Sequence, residues 1–223
     1  MHQGFLYQHL YAVQVLLSQR ALDWQLVRIE RDEDIEIRFP EIQAYVQVKK
    51  RASPLIYSDI EGSVERFTSI RAEHEAGRRP GAPHLWLISN APPGESLAAR
   101  LSNQAWPDSV VVRTPSYTNA GGIEVPLPGA TIEEQFRSCI ALASQVEYST
   151  LSPETLVWKL AAWVQLVASG GIPDHEITPN DLQPLLEQFI VQLQQFPSPP
   201  SDYRLQQNEP PFVSSESTRL ITG

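Results

Sequence analysis

The 223-residue chain is 42% hydrophobic, which excludes a disordered polypeptide, and its single cysteine excludes a disulfide framework. Its formal charge of −9 lies almost entirely in the second half. Residues 1–113 hold 13 Lys and Arg against 14 Asp and Glu, a net charge of −1, whereas residues 114–223 hold 4 against 12, a net charge of −8. The sequence contains neither a run of eighteen apolar residues nor a secretory signal, so we expect a soluble, cytoplasmic protein without a membrane span.

The first half alternates helical and strand patterns. An amphipathic helix is predicted over residues 4–18, with Tyr11 on its less apolar side, and a strand over residues 24–29. Polar and apolar residues then alternate with a period of two over residues 34–50, which predicts a hairpin. A helix, the buried strand "HLWLIS", a short helix and the buried strand "SVVVRT" follow. This order predicts an α/β fold, a mixed β-sheet flanked by helices.

From about residue 130 the pattern is helical only. Three helices are predicted, with N-caps at Thr131, Ser152 and Thr178. Cys139 falls inside the first of them, and Trp158 and Trp163 fall inside the second. We interpret these three residues as core rather than as functional groups. The sequence therefore predicts an all-helical C-terminal part.

One face of the hairpin carries residues suited to chemistry. Neighbouring strands lie about 5 Å apart, so Asp34 and Gln47 can offer oxygens to one ion, and Mg²⁺ or Mn²⁺ prefers such ligands. Lys49, on the same face as Gln47, is placed to orient an attacking water or to neutralise charge on a phosphoryl group. The pattern predicts a site that cleaves phosphodiester bonds. The alternative is a solvated strand face with cross-strand ion pairs.

The words "GFLYQ", "IERDEDIEI" and "YVQVKKR" resemble the PD-(D/E)xK nuclease superfamily in its Mrr-like branch, whose last half-motif is Gln-x-Lys. They look like the endonuclease effector domain of CD-NTase-associated bacterial anti-phage nucleases. The resemblance covers the first half of the chain and implies a restriction-endonuclease-like sheet. It makes Asp34 the metal-binding aspartate, Gln47 and Lys49 the half-motif, and Gln8 the polar residue of the first helix. Glu30 would either assist a second metal or cap the turn.

Two features depart from the common superfamily pattern. Gln47 stands where an acidic residue is usual, and no proline precedes Asp34. An amide binds a divalent cation more weakly than a carboxylate does. Two rival functions therefore remain open: a Mg²⁺-dependent endodeoxyribonuclease, and a catalytically silent adaptor that binds nucleic acid or a partner protein on the same fold.

A DNA-binding surface is predicted from two basic clusters, Lys50 with Arg51 and Arg78 with Arg79. Solvated charged loops are the alternative reading of each cluster taken alone. The expected partner is double-stranded DNA. A single Gln-x-Lys site cuts one strand, so we expect activation by homo-oligomerisation.

The predicted organisation has three parts. Residues 1–130 form the nuclease core, residues 131–196 a helical extension of the same domain, and residues 197–223 a Pro-rich linker. Gly223 stands where the first glycine of a P-loop would follow a strand, which suggests an NTPase domain beyond it. Such a chain would resemble the effector half of bacterial STAND NTPase defence proteins. A ragged natural C-terminus is the alternative.

Overall fold

The computed structural model describes residues 2–29, 33–103, 106–107, 109–119, 125–146, 151–171 and 176–194. The chain divides into two units, residues 1–190 and residues 191–223. The described helices are α1 His2–Leu17, α2 Gln19–Leu22, α3 Glu61–Glu75, α4 Glu95–Leu101, α5 Ile132–Ala143, α6 Pro153–Ala168 and α7 Pro179–Gln194. The described strands are β1 Leu26–Ile29, β2 Ile35–Arg38, β3 Ile42–Lys49, β4 Ala82–Ser89, β5 Val110–Thr114, β6 Tyr117–Thr118 and β7 Glu176–Ile177.

These strands form one mixed sheet in the order β6-β5-β4-β3-β2-β1-β7. Strands β1, β2 and β3 are antiparallel neighbours, whereas β3, β4 and β5 run parallel, with α3 and α4 as the crossovers. Parallel neighbours require crossovers of this kind, which is why strand and helix patterns alternate in the first half of the sequence. The predicted α/β fold, a mixed sheet flanked by helices, is confirmed.

The C-terminal part is mostly helical, as predicted, but β7 lies between α6 and α7 and pairs with the edge strand β1. A strand of two residues is too short to show an alternating pattern in the sequence, so β7 was not predicted. An ion pair between Arg28 and Glu176 accompanies its pairing with β1. Two of the three expected caps are present: the Thr131 hydroxyl accepts from Glu134 N–H, and the Ser152 hydroxyl accepts from Thr155 N–H. The Thr178 hydroxyl instead donates to Asp181 at 2.5 Å. Helix α7 begins at Pro179, directly after Thr178.

Helix α1 is covered on nearly every side, because it packs against β3, α5 and α6. Tyr11, placed by the sequence pattern on the less apolar side, is fully buried and donates its hydroxyl to the carbonyl of Pro126 at 2.8 Å. Cys139 is buried, as predicted. Trp158 is 46% exposed, so its interpretation as core is wrong, whereas Trp163 packs partly buried against the core.

The other face of the sheet is covered by α3 and α4 around a second apolar cluster, which includes Tyr45, Phe67 and Leu85. The alternative of a solvated hairpin face holds only in part: Arg38, Gln47 and Lys49 are partly exposed, and Glu36 lies 3.6 Å from Arg28 on the neighbouring strand. Glu36 and Gln43, both polar positions of the alternation, are 2% and 3% exposed. No helix in the described part of the chain is long and apolar enough to cross a bilayer.

Candidate functional site

Asp34, Gln47 and Lys49 meet at the carboxyl end of β3. Asp34 stands directly before β2, and the pairing of Ile35 with Val46 places it across from Gln47. Lys49 is the last residue of β3 and lies beside the end of the parallel strand β4. The carboxyl ends of parallel strands are where open α/β sheets bind ligands.

Three donors converge on one oxygen of Asp34, Oδ2. They are the Gln47 side-chain amide at 2.5 Å, the Val48 backbone N–H at 2.7 Å and the Gln8 side-chain amide at 3.0 Å. The Gln8 amide nitrogen also donates to the Val48 carbonyl at 3.3 Å. The second carboxylate oxygen, Oδ1, accepts no hydrogen bond from the residues that the structure describes. The carboxylate is thus held rigidly by one oxygen and leaves the other for a ligand.

Burial raises the pKa of Asp34 above its usual range. The Val48 N–H, the nearby Lys49 ammonium and the amides of Gln47 and Gln8 favour the charged form and offset part of this effect. A carboxylate that is costly to keep ionised in the free protein is stabilised by any cation that approaches it. Perturbed acids of this kind are concentrated at functional sites.

The amide of Gln47 is held from both ends. Its nitrogen donates to Asp34, and its oxygen Oε1 accepts from the hydroxyl of Ser63 on α3 at 3.0 Å. In this orientation Oε1 faces Ser63 rather than Asp34. Exchanging the amide oxygen and nitrogen preserves the contact with Ser63, because a hydroxyl both donates and accepts. The exchange would bring two oxygens together at Asp34, an arrangement that a cation between them would stabilise.

Lys49 is half-buried beside this carboxylate, and its charge acts on Asp34. Within the described ranges, its ammonium makes neither a hydrogen bond nor a salt bridge. Its neighbour Lys50 reaches the carbonyl of Arg51 at 3.4 Å. The Lys49 ammonium is therefore available to a ligand.

The predicted acid Glu30 lies outside the described residues. A different acid, Glu33, stands next to Asp34 with its side chain almost fully buried and 3.6 Å from the Nε of Arg66 on α3. In the part of the chain that the structure describes, no three His, Cys, Asp or Glu side chains gather as a metal site. The hard oxygens near Asp34 are its own, the amide oxygen of Gln47, which accepts from Ser63, and the Val48 carbonyl, which accepts from Gln8. Oxygens of these kinds suit Mg²⁺.

The predicted DNA-binding residues do not form one patch. Lys50 and Arg51 follow the end of β3, and Arg51 pairs with Asp59 at 3.1 Å. Arg78 and Arg79 line a cleft with Gln43 and Tyr45, near the start of the same strand. From Tyr45 to Lys49 is four strand positions, or about 13 Å.

Sequence reasoning missed Ser63 and the backbone N–H of Val48. Ser63 sits in the first turn of α3, where this serine carries no signal of its own in the sequence. Only the packing of α3 on β3 brings it to Gln47. The chain bends just before β2, and this bend turns the Asp34 carboxylate towards β3. The Val48 N–H can therefore donate to it.

The fold and the site define a mixed α/β domain with a polar cluster at the carboxyl ends of its parallel strands. No family model and no curated protein matches the sequence. The chain is similar in structure to the Cap4 SAVED/CARF-domain containing receptor of Acinetobacter baumannii, with a TM-score of 0.51 and 12% identity over 90% of this chain and 51% of that one. The same receptor with the cyclic trinucleotide 3'3'3'-cAAA gives a TM-score of 0.50 and 13% identity, over 90% of this chain and 53% of that one. The chain spans about half the length of these structures, and at this identity the likeness is one of fold.

Proposed function

We propose that this domain is a metal-dependent nuclease that hydrolyses phosphodiester bonds of duplex DNA. The observation that carries the proposal is the meeting of a half-buried carboxylate, Asp34, with the Gln47 amide and the uncommitted ammonium of Lys49 at one end of the sheet. An acid, an amide oxygen and a lysine supply metal binding and charge neutralisation in one place. The resemblance of Gln47-x-Lys49 to the Mrr-like half-motif supports the same reading.

A magnesium ion would be held by Asp34, Gln47 and the carbonyl of Val48. The free Oδ1 of Asp34 would be the oxygen that meets the ion, because three N–H donors already occupy Oδ2. When bound, such an ion polarises a phosphoryl oxygen and lowers the pKa of a water molecule. Glu30 as a further ligand stays a prediction, because it lies outside the described residues.

The domain's own side chains would orient the metal ligands and neutralise the charge on the phosphate. Gln8, from the helical layer on one side of the sheet, and Ser63, from the layer on the other side, fix Asp34 and Gln47 so that the carboxylate keeps one direction. The ammonium of Lys49 would contact the scissile phosphate or the attacking water, where it stabilises the negative charge that develops on the phosphoryl oxygens. Its lack of a partner in the described part of the chain fits that role.

The rival proposal is a catalytically silent adaptor that binds nucleic acid or protein on this fold. One observation favours it: the Gln8 and Gln47 amide nitrogens already satisfy Asp34 Oδ2, so the site is stable as a network without an ion. Replacement of an acidic ligand by Gln47 points the same way. The two proposals differ in whether Mg²⁺ binds and whether DNA is cut.

The resemblance of the motif to anti-phage nucleases supports a role in bacterial defence, and the Cap4 receptor structures, of which this chain spans about half the length, share its fold. We propose that assembly of several copies of this domain activates cleavage. Two nuclease sites would then act on opposite strands.

Incubation of duplex DNA with the protein in Mg²⁺, in Mn²⁺ and in EDTA tests the proposal. The wild type should cut in either metal and not in EDTA, and Lys49→Ala should not cut in any condition. Lys159→Ala is the matched control, because Lys159 lies on α6 against Phe189, away from the site. Metal-independent cleavage, or full activity of Lys49→Ala, would remove the nuclease proposal. Binding of DNA without cleavage in any metal would favour the adaptor.

A further inference from the structure

A second polar site lies on the α3 face of the sheet, beside the turn of the β2–β3 hairpin. It is a cleft of about 260 Å³. Its charged walls are four arginines and two glutamates: Arg28, Arg38, Arg78, Arg79, Glu36 and Glu73. Arg38 is four positions after Asp34, which places the cleft about 13 Å along β2 from the candidate active site.

Both glutamates of the cleft are already engaged. Glu36, almost fully buried, accepts from Gln43 at 3.3 Å and lies 3.6 Å from Arg28. Glu73 pairs with Arg79. Arg28 also pairs with Glu176 at 2.6 Å, outside the cleft. The acids of the cleft are therefore matched by two of its four arginines.

Arg38 and Arg78 supply the excess charge. Neither forms an ion pair with any residue that the structure describes. Arg38 Nε reaches only the amide oxygen of Gln43, at a long 3.5 Å, and Arg78 is exposed. With two guanidinium groups lacking a counter-charge, the cleft carries a net positive charge of two in the described part of the chain.

The wall of the cleft is a rigid frame. Arg79 Nη1 donates to the Tyr45 hydroxyl at 3.1 Å and its guanidinium lies over the Tyr45 ring. That hydroxyl contacts His74 Nε2 at 2.9 Å, and His74 Nδ1 contacts the carbonyl of Gly81 at 2.9 Å. The Gly81 carbonyl can only accept, so His74 Nδ1 donates to it. Burial lowers the pKa of His74, which favours the neutral ring, and Nε2 then accepts a hydrogen bond from the Tyr45 hydroxyl. Arg79, predicted from the sequence as a DNA contact, is thus largely committed to the protein.

We propose that this cleft binds a phosphate group, held by the guanidinium forks of Arg38 and Arg78. Guanidinium matches the geometry of phosphate oxygens and stays charged at any physiological pH. The phosphate has two possible sources: the backbone of a nucleic acid that also reaches Lys49, or a free phosphorylated ligand. A duplex carries one phosphate per strand every ~3.4 Å, so the spacing of about 13 Å corresponds to about four base pairs.

The nucleic-acid source rests on the proposed function, whereas the phosphate site itself does not. Binding is therefore measured in EDTA, where no metal-dependent cleavage takes place. Three variants are compared with the wild type: Arg38→Gln, Arg78→Gln and the control Arg137→Gln. Arg137 is an exposed arginine on α5 paired with Glu133, so the control makes the same charge change elsewhere.

Two probes distinguish the sources: a short fluorescein-labelled DNA duplex followed by anisotropy over a series of KCl concentrations, and pyrophosphate followed by calorimetry. If the phosphate belongs to DNA, each cleft variant lowers the slope of log affinity against log salt by about 0.9, the value of one phosphate contact. If it is free, each cleft variant weakens pyrophosphate binding about tenfold, or ~1.4 kcal/mol. If both variants keep the wild-type salt dependence of DNA binding and the wild-type affinity for pyrophosphate, the proposed phosphate site is wrong. Arg78, being exposed, carries the test if Arg38→Gln does not fold.

Discussion

Ser63 donates its hydroxyl to Oε1 of Gln47, and the other end of that amide donates to Asp34. The two contacts connect α3, β3 and the residue before β2 into one line of hydrogen bonds. The Ser63 hydroxyl can donate or accept, so it is compatible with either orientation of the Gln47 amide. Asp34 is the one ionisable side chain of the three.

Gln47→Glu is expected to lower the stability of the metal-free protein and to raise its affinity for Mg²⁺. A second carboxylate beside Asp34 repels it in EDTA, so the melting temperature should fall, while Mg²⁺ should bind more tightly and restore it. A ligand at ten times its Kd stabilises the fold by about 1.4 kcal/mol. Thermal melts over a Mg²⁺ titration measure both effects. Gln165→Glu, on the exposed face of α6, is the matched control, and equal Mg²⁺ affinity in wild type and Gln47→Glu would contradict a metal site at Gln47.

Asp34→Asn should raise the melting temperature at neutral and basic pH. The pKa of Asp34 is raised by burial, so its ionised form is the unfavourable one in the folded state. Stability is therefore lost as pH rises through the interval between the unfolded pKa and this raised pKa, and the neutral amide of the Asp34→Asn variant would avoid that loss. For a domain of this size, each 1 kcal/mol recovered corresponds to about 2–4 °C.

Melts of Asp34→Asn and wild type at about pH 8 and about pH 4 test the sign, because the advantage should shrink in acid as Asp34 becomes protonated. Asp181→Asn serves as the opposite control. Hydrogen bonds from Thr178 lower the pKa of Asp181, so removing its charge should not stabilise the protein. An Asp34→Asn variant that melts lower than wild type at both pH values would contradict the burial argument.

Asp34→Ala and Glu36→Ala should separate chemistry from folding. Both acids stand on the same side of the hairpin, but Asp34 faces the site whereas Glu36 is covered and bonded to Gln43. Asp34→Ala is expected to abolish DNA cleavage with the fold retained. Glu36→Ala should keep cleavage per folded molecule and lower the melting temperature, since it leaves a buried amide without its acceptor. Loss of cleavage as deep as that of Asp34→Ala, in folded Glu36→Ala, would mean that the metal ligand has been misassigned.

The hairpin was predictable because alternation and strand spacing depend on neighbouring residues. They place Asp34 across from Gln47 and put Lys49 on the same side. The burial of Glu36 was not predictable, because its contacts include Gln43 and Arg28, and the second of these lies on another strand, β1. The pairing of Arg51 with Asp59 was missed for a similar reason, since the turn between them is fixed by contacts elsewhere.

The single thiol should be inert in the folded protein. Cys139 is buried in α5, and burial raises its pKa to about 12, so the reactive thiolate is scarce at neutral pH. We expect a thiol reagent such as DTNB to react only as fast as the protein unfolds. Reaction rates followed over a urea series measure this. Rapid stoichiometric labelling of the native protein, with its melting curve unchanged, would contradict the burial.

The isolated domain should be a weak oligomer that cuts slowly when dilute. Its second half is strongly acidic, which opposes both self-association and approach to DNA. Cleavage is expected to rise more than linearly with protein concentration, and also on fusion to a forced dimer, since tethering raises effective concentration. Light scattering over a dilution series, paired with plasmid linearisation, measures the two together. Strict proportionality between rate and concentration would exclude assembly as the switch.

The position of α1 sets an order of events during synthesis. The hydroxyls of Tyr7 and Tyr11 donate to the carbonyls of Gly129 and Pro126, which the ribosome delivers 122 and 115 residues later. Contacts so distant along the chain slow folding and leave early segments without their cover. Gln8, carried on the same helix, thus reaches Asp34 in a settled position only after α5 and α6 have been made. A chain still on the ribosome would hold its acid, amide and lysine before α1 is fixed against them, so the candidate site matures last although its residues are translated first.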